Sequence, residues 1–110
     1  MEDVRKPTKD ELRLLRKLVD LSNLFTTEDW EKDLLVKPMV DDGMGGLYLY
    51  NNNNYMHKRL FGKEVSSIEF HDVDSILIVA SLYLDNSGDL FELDIFKTDF
   101  TMMKEIPFTL

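Results

Sequence analysis

The sequence predicts an α+β domain, with an N-terminal amphipathic helix packed on one face of a mainly antiparallel β-sheet. A capping signal followed by leucines at helical spacing predicts the helix over residues 9–22. Three strand-like runs separated by turn residues predict most of the sheet over residues 65–97. A chain of 110 residues is long enough for one compact domain, so we interpret residues 1–110 as a single domain.

The helix signal begins at Thr8, whose hydroxyl is expected to accept from the backbone of Glu11 while the Glu11 side chain reaches back. Trp30, in a short acidic turn after the helix, is predicted to fill the core against it. The segment 100–110 is apolar enough to pack back onto the domain. The predicted apolar face of the helix consists of Leu12, Leu14, Leu15, Leu18, Val19 and Leu21.

The middle third predicts short strands separated by turns. Gly43, Gly45 and Gly46 raise the question of a phosphate site, because glycine loops can bring backbone N–H groups together. We reject that interpretation, since no helix pattern follows and Asp41 and Asp42 would repel a phosphate. The predicted segments are a strand at 34–39 that Pro38 confines to an edge or an end, a turn into a strand at 47–50, an exposed turn at 51–54, a strand at 55–61 and a turn at Gly62-Lys63.

The last third predicts three consecutive paired strands and the loops that set their registers. A three-residue hairpin loop containing Gly88 would pair Asp85 with Asp89, and a tighter turn would pair Asp72 with Ser75. A slip of one residue would exchange the two faces of a strand. The strands are predicted at 65–71, 76–84 and 90–97, and their core face at Ile68, Phe70, Leu77, Val79, Tyr83, Phe91, Leu93 and Ile95.

The opposite face of this predicted sheet combines an apolar stripe with carboxylates. The stripe runs down the central strand, and acidic side chains of the two neighbouring strands border it. An apolar surface bordered by charges of one sign is suited to docking a partner of the other sign. The candidate binding residues are Glu69, Ile78, Leu82, Glu92, Asp94 and Phe96.

Catalysis and metal binding are both considered for these acidic side chains. Glu92 and Asp94 are two apart on a strand, which sets their backbones roughly 6.5–7 Å apart and overlaps the carboxylate separation of inverting glycosidases. Alternating acids are also common on solvent-facing strands, and a chain of this length leaves little material for a deep cleft. Glu69 and His71 would lie about 10 Å from that pair, beyond the central strand and too far to share an ion. We assign no catalytic residue, no metal ligand and no cofactor, and we expect a protein that is not an enzyme.

The charge balance narrows the classes of partner. Thirteen basic and twenty-one acidic residues give a net charge of −8, and residues 1–20 hold six of the basic and only five of the acidic ones. Such an acidic surface repels phosphate backbones, so we expect no nucleic-acid binding, and it attracts cationic partners. The longest apolar run, residues 76–80, is far shorter than the roughly 20 residues that span a bilayer, so no membrane association is expected. Without cysteine or a secretory signal at the N-terminus, a cytoplasmic location is the simplest expectation.

Three stretches carry a resemblance to a known family. They are "RKPTKDEL" at residues 5–12, "KPMVDDGMGGL" at residues 37–47 and "ASLYLDNSGDLFELDIFKTDF" at residues 80–100. Together they resemble a family of small, mostly bacterial domains of unknown function. The chain differs from the family pattern at two positions: Asp42 stands where the family's loop has a glycine, and Phe96 stands where its last strand has a tryptophan. It implies a small α+β domain and supplies no activity and no catalytic residue.

Three functions from different classes follow from these observations. The first is a non-enzymatic protein-binding domain, in particular an immunity or antitoxin-type protein that masks a basic toxin domain. The second is a small hydrolase that uses the sheet-face carboxylates. The third is a homo-oligomer that buries the apolar stripe against a second copy of itself.

Overall fold

The fold is a helix packed on one face of a five-stranded antiparallel sheet, which confirms the predicted α+β class. A computed structural model describes residues 4–25, 27, 29–51 and 58–110 of the chain. The sheet contains β1 (Leu35–Pro38), β2 (Leu47–Tyr50), β3 (Phe61–His71), β4 (Leu77–Asp85) and β5 (Leu90–Lys97), in the spatial order β1-β2-β5-β4-β3. Within those described residues, no helix has both the length and the apolar character that crossing a membrane would require.

The helix α1 covers Lys9–Ser22, which are the predicted bounds. Its predicted capping box is present, because the Thr8 hydroxyl accepts from the Glu11 N–H at 3.1 Å and the Glu11 carboxylate accepts from the Thr8 N–H at 2.9 Å. The same carboxylate accepts two hydrogen bonds from Arg5, at 2.7 and 2.9 Å. The helix ends at Asn23 in the left-handed conformation, with φ 58°. Its buried side chains are Leu14, Leu15, Leu18 and Val19.

The segments before β3 agree with most of the predictions. β1 ends at Pro38, and the glycine turn leads into β2 as expected. The predicted turn at 51–54 and the first half of the predicted strand at 55–61 fall on residues 52–57, which lie outside the described residues. The second half of that strand is wrong, because residues 58–60 are not in a strand and Phe61 begins β3. The predicted turn at Gly62-Lys63 is wrong, because both residues lie within β3 next to a β-bulge.

The predicted hairpin loop between β4 and β5 is confirmed at its ends but not in the register beyond. The Asp85 N–H donates to the Asp89 carbonyl at 2.8 Å, and Gly88 adopts φ 88°. A bulge at Phe91 then shifts the pairing by one residue, so Tyr83 lies opposite Glu92 and not opposite Phe91. The extra residue could not be read from the loop alone.

The turn between β3 and β4 is also one residue longer than predicted. The Asp72 N–H donates to the Ile76 carbonyl at 2.9 Å, and Ser75 takes a left-handed φ of 70°. Phe70 therefore pairs with Ile78 and not with Leu77. Because both errors have the same sign, they exchange the two faces of β4 and leave the faces of β3 over residues 67–71 and of β5 over residues 92–97 as predicted. Next to the bulges the prediction is wrong: Leu90 and not Phe91 is a core residue, and Val65 packs against the core.

The core lies between α1 and the face of the sheet that carries Ile78 and Leu82, both fully buried. Their assignment to the exposed stripe is wrong, and the reason is the one-residue shift at each end of β4. Trp30 packs against this core from one side, as predicted. The C-terminal segment also returns to it through Met103, Ile106 and Leu110. The remaining core side chains of the sheet include Val36, Leu47, Leu49, Phe70, Ala80, Leu84, Leu90, Leu93 and Ile95.

Candidate functional site

The face of the sheet opposite α1, which we call the open face, holds four of the six predicted binding residues. Glu69, Glu92, Asp94 and Phe96 all point to this side, since the residues that alternate with them are core residues. Ile78 and Leu82 do not join them. In their place β4 presents Val79, Ser81 and Tyr83 to the open face.

Cross-strand pairing arranges the open face in three rows. Glu92 lies between Tyr48 on one side and Tyr83 on the other, and Glu64 follows beyond Tyr83. In the next row Ser81 lies between Asp94 and Ser67, and in the third Val79 lies between Phe96 and Glu69. The face is thus acidic with tyrosines and small polar groups, and its apolar content is smaller than the sequence predicted.

The carboxylates of Glu92 and Asp94 form the centre of the open face. Burial raises the pKa of Glu92, the charge of Asp94 raises it further, and Arg59 opposes this rise. Burial also raises the pKa of Asp94, with additional repulsion from Asp41 and Glu64. No ion pair among the described residues includes Glu92 or Asp94. Within the described residues, the open face therefore carries two partly desolvated carboxylates that no ion pair compensates.

An exposed pair of aromatic rings adjoins these carboxylates. The rings of Phe96 and Phe100 meet edge to face, with centroids 5.2 Å apart, and Phe100 is 72% exposed. Phe100 has a φ of 64°, a left-handed conformation that is costly for a bulky side chain. Its N–H donates to the Lys97 carbonyl at 2.9 Å, which fixes the turn that holds the ring out to solvent. The sequence prediction included Phe96 but missed Phe100, for which the strand pattern held no signal.

The glycine turn supports the open face but does not form a phosphate site. The two carboxylate oxygens of Asp41 accept from Met44 N–H at 3.1 Å and from Gly46 N–H at 2.8 Å. These amides, which a phosphate loop would offer to a ligand, are already bonded to a negative charge. The structure thus supports rejecting a phosphate loop, and Asp41 is the residue in the sequence that signals it.

A buried charge cluster at one end of β5, absent from the sequence prediction, anchors the C-terminal segment. Lys97 is fully buried, and its Nζ donates to Asp72 at 3.0 Å, to Asp74 at 2.6 Å and to the Met102 carbonyl at 3.1 Å. Asp72 also accepts from the N–H groups of Lys104, at 2.6 Å, and Glu105, at 3.1 Å. The alternation of Leu93, Ile95 and Lys97 on the core side of β5 was the available signal, because a lysine in an apolar phase requires buried partners.

A second cation, Arg59, joins three strands at the other end of the sheet. It donates to Asp85 at 2.8 Å, to the Leu49 carbonyl at 2.7 Å and to the Leu90 carbonyl. Its guanidinium also lies over the rings of Tyr50 and Phe91, at 5.6 and 5.1 Å from their centroids. Both buried cations are therefore committed to structural contacts.

The acidic side chains of the open face are not grouped as a metal site. β4 separates Glu69 and His71 from Glu92 and Asp94, as the sequence predicted. Across the part of the chain that the structure describes, no three His, Asp or Glu side chains converge closely enough to hold an ion.

The family model of a domain of unknown function, DUF6984, matches residues 4–107, nearly the whole chain. No curated protein and no solved structure matches the chain significantly. The family match agrees with the resemblance found in the sequence at the level of a domain of unknown function.

Proposed function

Since the chain belongs to the DUF6984 family of domains of unknown function, we propose from its geometry that it is a non-enzymatic protein-binding domain. Its open face would dock onto a basic partner protein. An immunity or antitoxin-type role, in which the face masks a basic toxin domain, is the biological form of this proposal. We also propose that the family is mostly bacterial and that its members share the three motifs quoted from the sequence.

The observation that carries the proposal is the combination of Glu92 and Asp94 with the exposed Phe96–Phe100 pair. The two carboxylates are partly desolvated, repel each other and form no ion pair within the described residues. A lysine or arginine of a partner would relieve this repulsion by bringing a charge of the opposite sign. This arrangement of charges therefore favours the protein with a partner's cation bound over the free protein.

The aromatic pair supplies what charges alone do not, which is an anchor for tight packing. Aromatic side chains dominate the binding energy of many interfaces, because each buries a large area with few rotatable bonds. The left-handed backbone at Phe100 costs stability and holds an apolar ring in water. Such a cost is expected where the conformation serves binding.

The test is affinity capture from native cells at low salt, with three forms of the immobilised protein. The first is the wild type, and the second is Glu92→Gln/Asp94→Asn, which neutralises the centre of the open face. The third, Asp20→Asn/Asp33→Asn, removes the same formal charge at two exposed positions away from that face. Bound proteins are identified by mass spectrometry, and the affinity of a purified partner is then measured as a function of salt.

We expect a basic protein to be retained by the wild type and by the matched control, and to be lost from the open-face variant. Its affinity should fall as salt rises, because a large part of the attraction is between charges exposed before binding. Equal retention by the open-face variant, or the absence of any stoichiometric basic partner, would overturn the proposal.

A further inference from the structure

The two edges of the sheet are treated differently by the rest of the chain. At the β1 edge, the N-terminal segment pairs with Val36: the Arg5 N–H donates to the Val36 carbonyl at 2.9 Å, and the Arg5 carbonyl accepts from the Val36 N–H at 2.7 Å. At the β3 edge, no backbone hydrogen bond among the described residues reaches the outward groups of residues 66–71. Among the described residues, the β1 edge thus has a backbone partner at Val36, and the β3 edge has none over residues 66–71.

The hydrogen-bond pattern shows which backbone groups of β3 point outwards. The Leu77 carbonyl accepts from the Thr98 N–H at 2.9 Å, so the backbone polar groups of Leu77 face β5. His71, the residue of β3 opposite Leu77, therefore forms no backbone hydrogen bond to β4, and its N–H and carbonyl point outwards. Because hydrogen-bonded and non-hydrogen-bonded pairs alternate along an antiparallel ladder, Ser67 and Glu69 share the orientation of His71. Three successive donors and three acceptors therefore line the edge.

Half of β3 is protected against pairing, and the other half is not. Bulges interrupt the first half between Phe61 and Lys63 and between Glu64 and Ser66. Bulges twist an edge away from regular pairing, and natural edges often add lysine or proline for the same purpose. From Ser66 to His71 the register is unbroken and the sequence contains neither residue.

The charge along this edge selects the partner. Glu69 lies at the middle of the regular half, is exposed and forms no ion pair with a described residue. A second copy of the chain carries the same glutamate and a net charge of −8, which opposes edge-to-edge pairing. A strand with a lysine or arginine opposite Glu69 would gain a favourable cross-strand pair.

We propose that the β3 edge accepts an extended, basic strand of a partner protein as a sixth, antiparallel strand of the sheet. Cations would alternate along its open-face side, and apolar side chains would point to the side of Ile68 and Phe70. This inference rests on the proposed function, and it adds where the partner's backbone binds and in which conformation. The open face and the β3 edge would then form one continuous interface, since Glu69 belongs to both.

The probe is a capped peptide of about seven residues with alternating lysine and valine, long enough to pair with the regular half of β3. Two further peptides carry two N-methyl groups each, one peptide on two valine amides and the other on two inner lysine amides. In an antiparallel strand with lysine opposite Glu69, the lysine N–H groups point to β3 and the valine N–H groups point away. The two methylated peptides have the same charge and differ only in which donors they lose.

We expect the unmodified and valine-methylated peptides to bind alike, and the lysine-methylated peptide to bind at least about tenfold more weakly. Binding should slow hydrogen exchange at the amides of Ser67, Glu69 and His71. Glu69→Lys should weaken binding by a similar factor, whereas Asp20→Lys, on the exposed side of α1, should weaken it far less.

Equal binding of the two methylated peptides would overturn strand pairing and leave the proposed function standing, since charge alone would then explain the attraction. Absence of binding by all three peptides would also overturn it, while the capture experiment with the Glu92 and Asp94 variant decides the proposed function separately. A concentration-dependent dimer joined through β3 would overturn it in favour of a second copy.

Discussion

The two sides of β5 differ in whether their charged side chains form ion pairs. On the core side, Lys97 is enclosed by Asp72 and Asp74, and every charge in the group has a partner. On the open face, Glu92 and Asp94 lie beside Tyr83 and Ser81 of β4 and form no ion pair with a described residue. One side of β5 thus contributes Lys97 to a cluster of paired charges, and the other side carries two carboxylates outside any described ion pair.

Two aspartates, Asp72 in the cluster and Asp94 on the open face, differ in the direction of their pKa shifts. Burial alone would raise the pKa of Asp72, but backbone N–H groups and Lys97 outweigh it and lower the pKa to about 2. At Asp94, burial and neighbouring carboxylates act together and raise the pKa. The paired carboxylate stabilises the fold in its charged form, whereas the unpaired one lowers the stability of the fold when charged. Charges that cost stability are candidates for binding, and charges that contribute stability are not.

The largest effect is expected for Lys97→Met. The substitution removes the buried cation and the three hydrogen bonds that Lys97 donates to Asp72, Asp74 and the Met102 carbonyl. The thermal midpoint should fall by roughly 10 °C or more in calorimetry at neutral pH. Lys104→Met is the matched control, because the Lys104 side chain is 59% exposed and its Nζ lies 4.0 Å from the Asp74 carboxylate, too far for a hydrogen bond. Similar losses in both variants would contradict the role given to the buried cluster.

Acid should weaken the paired cluster in a defined pH window. Because the folded-state pKa of Asp72 is lowered from 3.8 to about 2, its contribution is fully present above about pH 4 and is lost as pH falls through 2. That contribution is roughly 1–2 kcal/mol after a discount for solvent screening. In urea unfolding over this window, Asp72→Asn should lose less stability than the wild type. Asp20→Asn controls for the missing formal charge, and parallel curves for wild type and Asp72→Asn would refute the assignment.

Much of the fold could be predicted because its signals are local. The capping box at Thr8, the leucine spacing of α1 and the loop at Gly88 depend on residues that are neighbours in the chain. The bounds of α1 and β5 agree with the predicted ranges for this reason. Away from their bulges, β3 over residues 67–71 and β5 over residues 92–97 also have the predicted faces, since apolar residues alternate with polar ones there.

The candidate site was predicted less well because it depends on register. β4 is apolar on both faces, so its own composition could not show which side is buried. One extra residue in the turn at Ser75 and one bulge at Phe91 decided that Ile78 and Leu82 face the core. Turn length and bulges are set by tertiary packing as much as by local sequence, and a single-residue error exchanges a whole face.

Neutralising the open face should have a smaller effect than either change in the cluster, and one of opposite sign. A carboxylate whose folded-state pKa is raised contributes relative stability at low pH and loses it as pH rises through that pKa. Glu92→Gln should therefore raise the free energy of unfolding by a few tenths of a kcal/mol near neutral pH, given solvent screening. Near about pH 4 the gain should shrink. A loss of stability at neutral pH would mean that Glu92 has a structural partner.

The smallest effect tests whether the glycine turn adds to the repulsion on the open face. Asp41 raises the pKa of Asp94 by its charge, and its two oxygens hold the turn through Met44 and Gly46. Asp41→Asn removes the charge and keeps one carbonyl acceptor, so the pKa of Asp94 should fall in a carboxyl NMR titration.

Asp42→Asn separates charge from turn geometry, because Asp42 is exposed and its charge is not a cause of the raised pKa of Asp94. It should leave the titration of Asp94 unchanged. The amide shifts of Met44 and Gly46 report whether the turn keeps its conformation in each variant. If the pKa of Asp94 falls only where those amides move, then turn geometry and not the Asp41 charge acts on the open face. A fall with the amides in place means that the chain assembles its unbalanced charge from two separate segments, and a partner cation would then neutralise both at once.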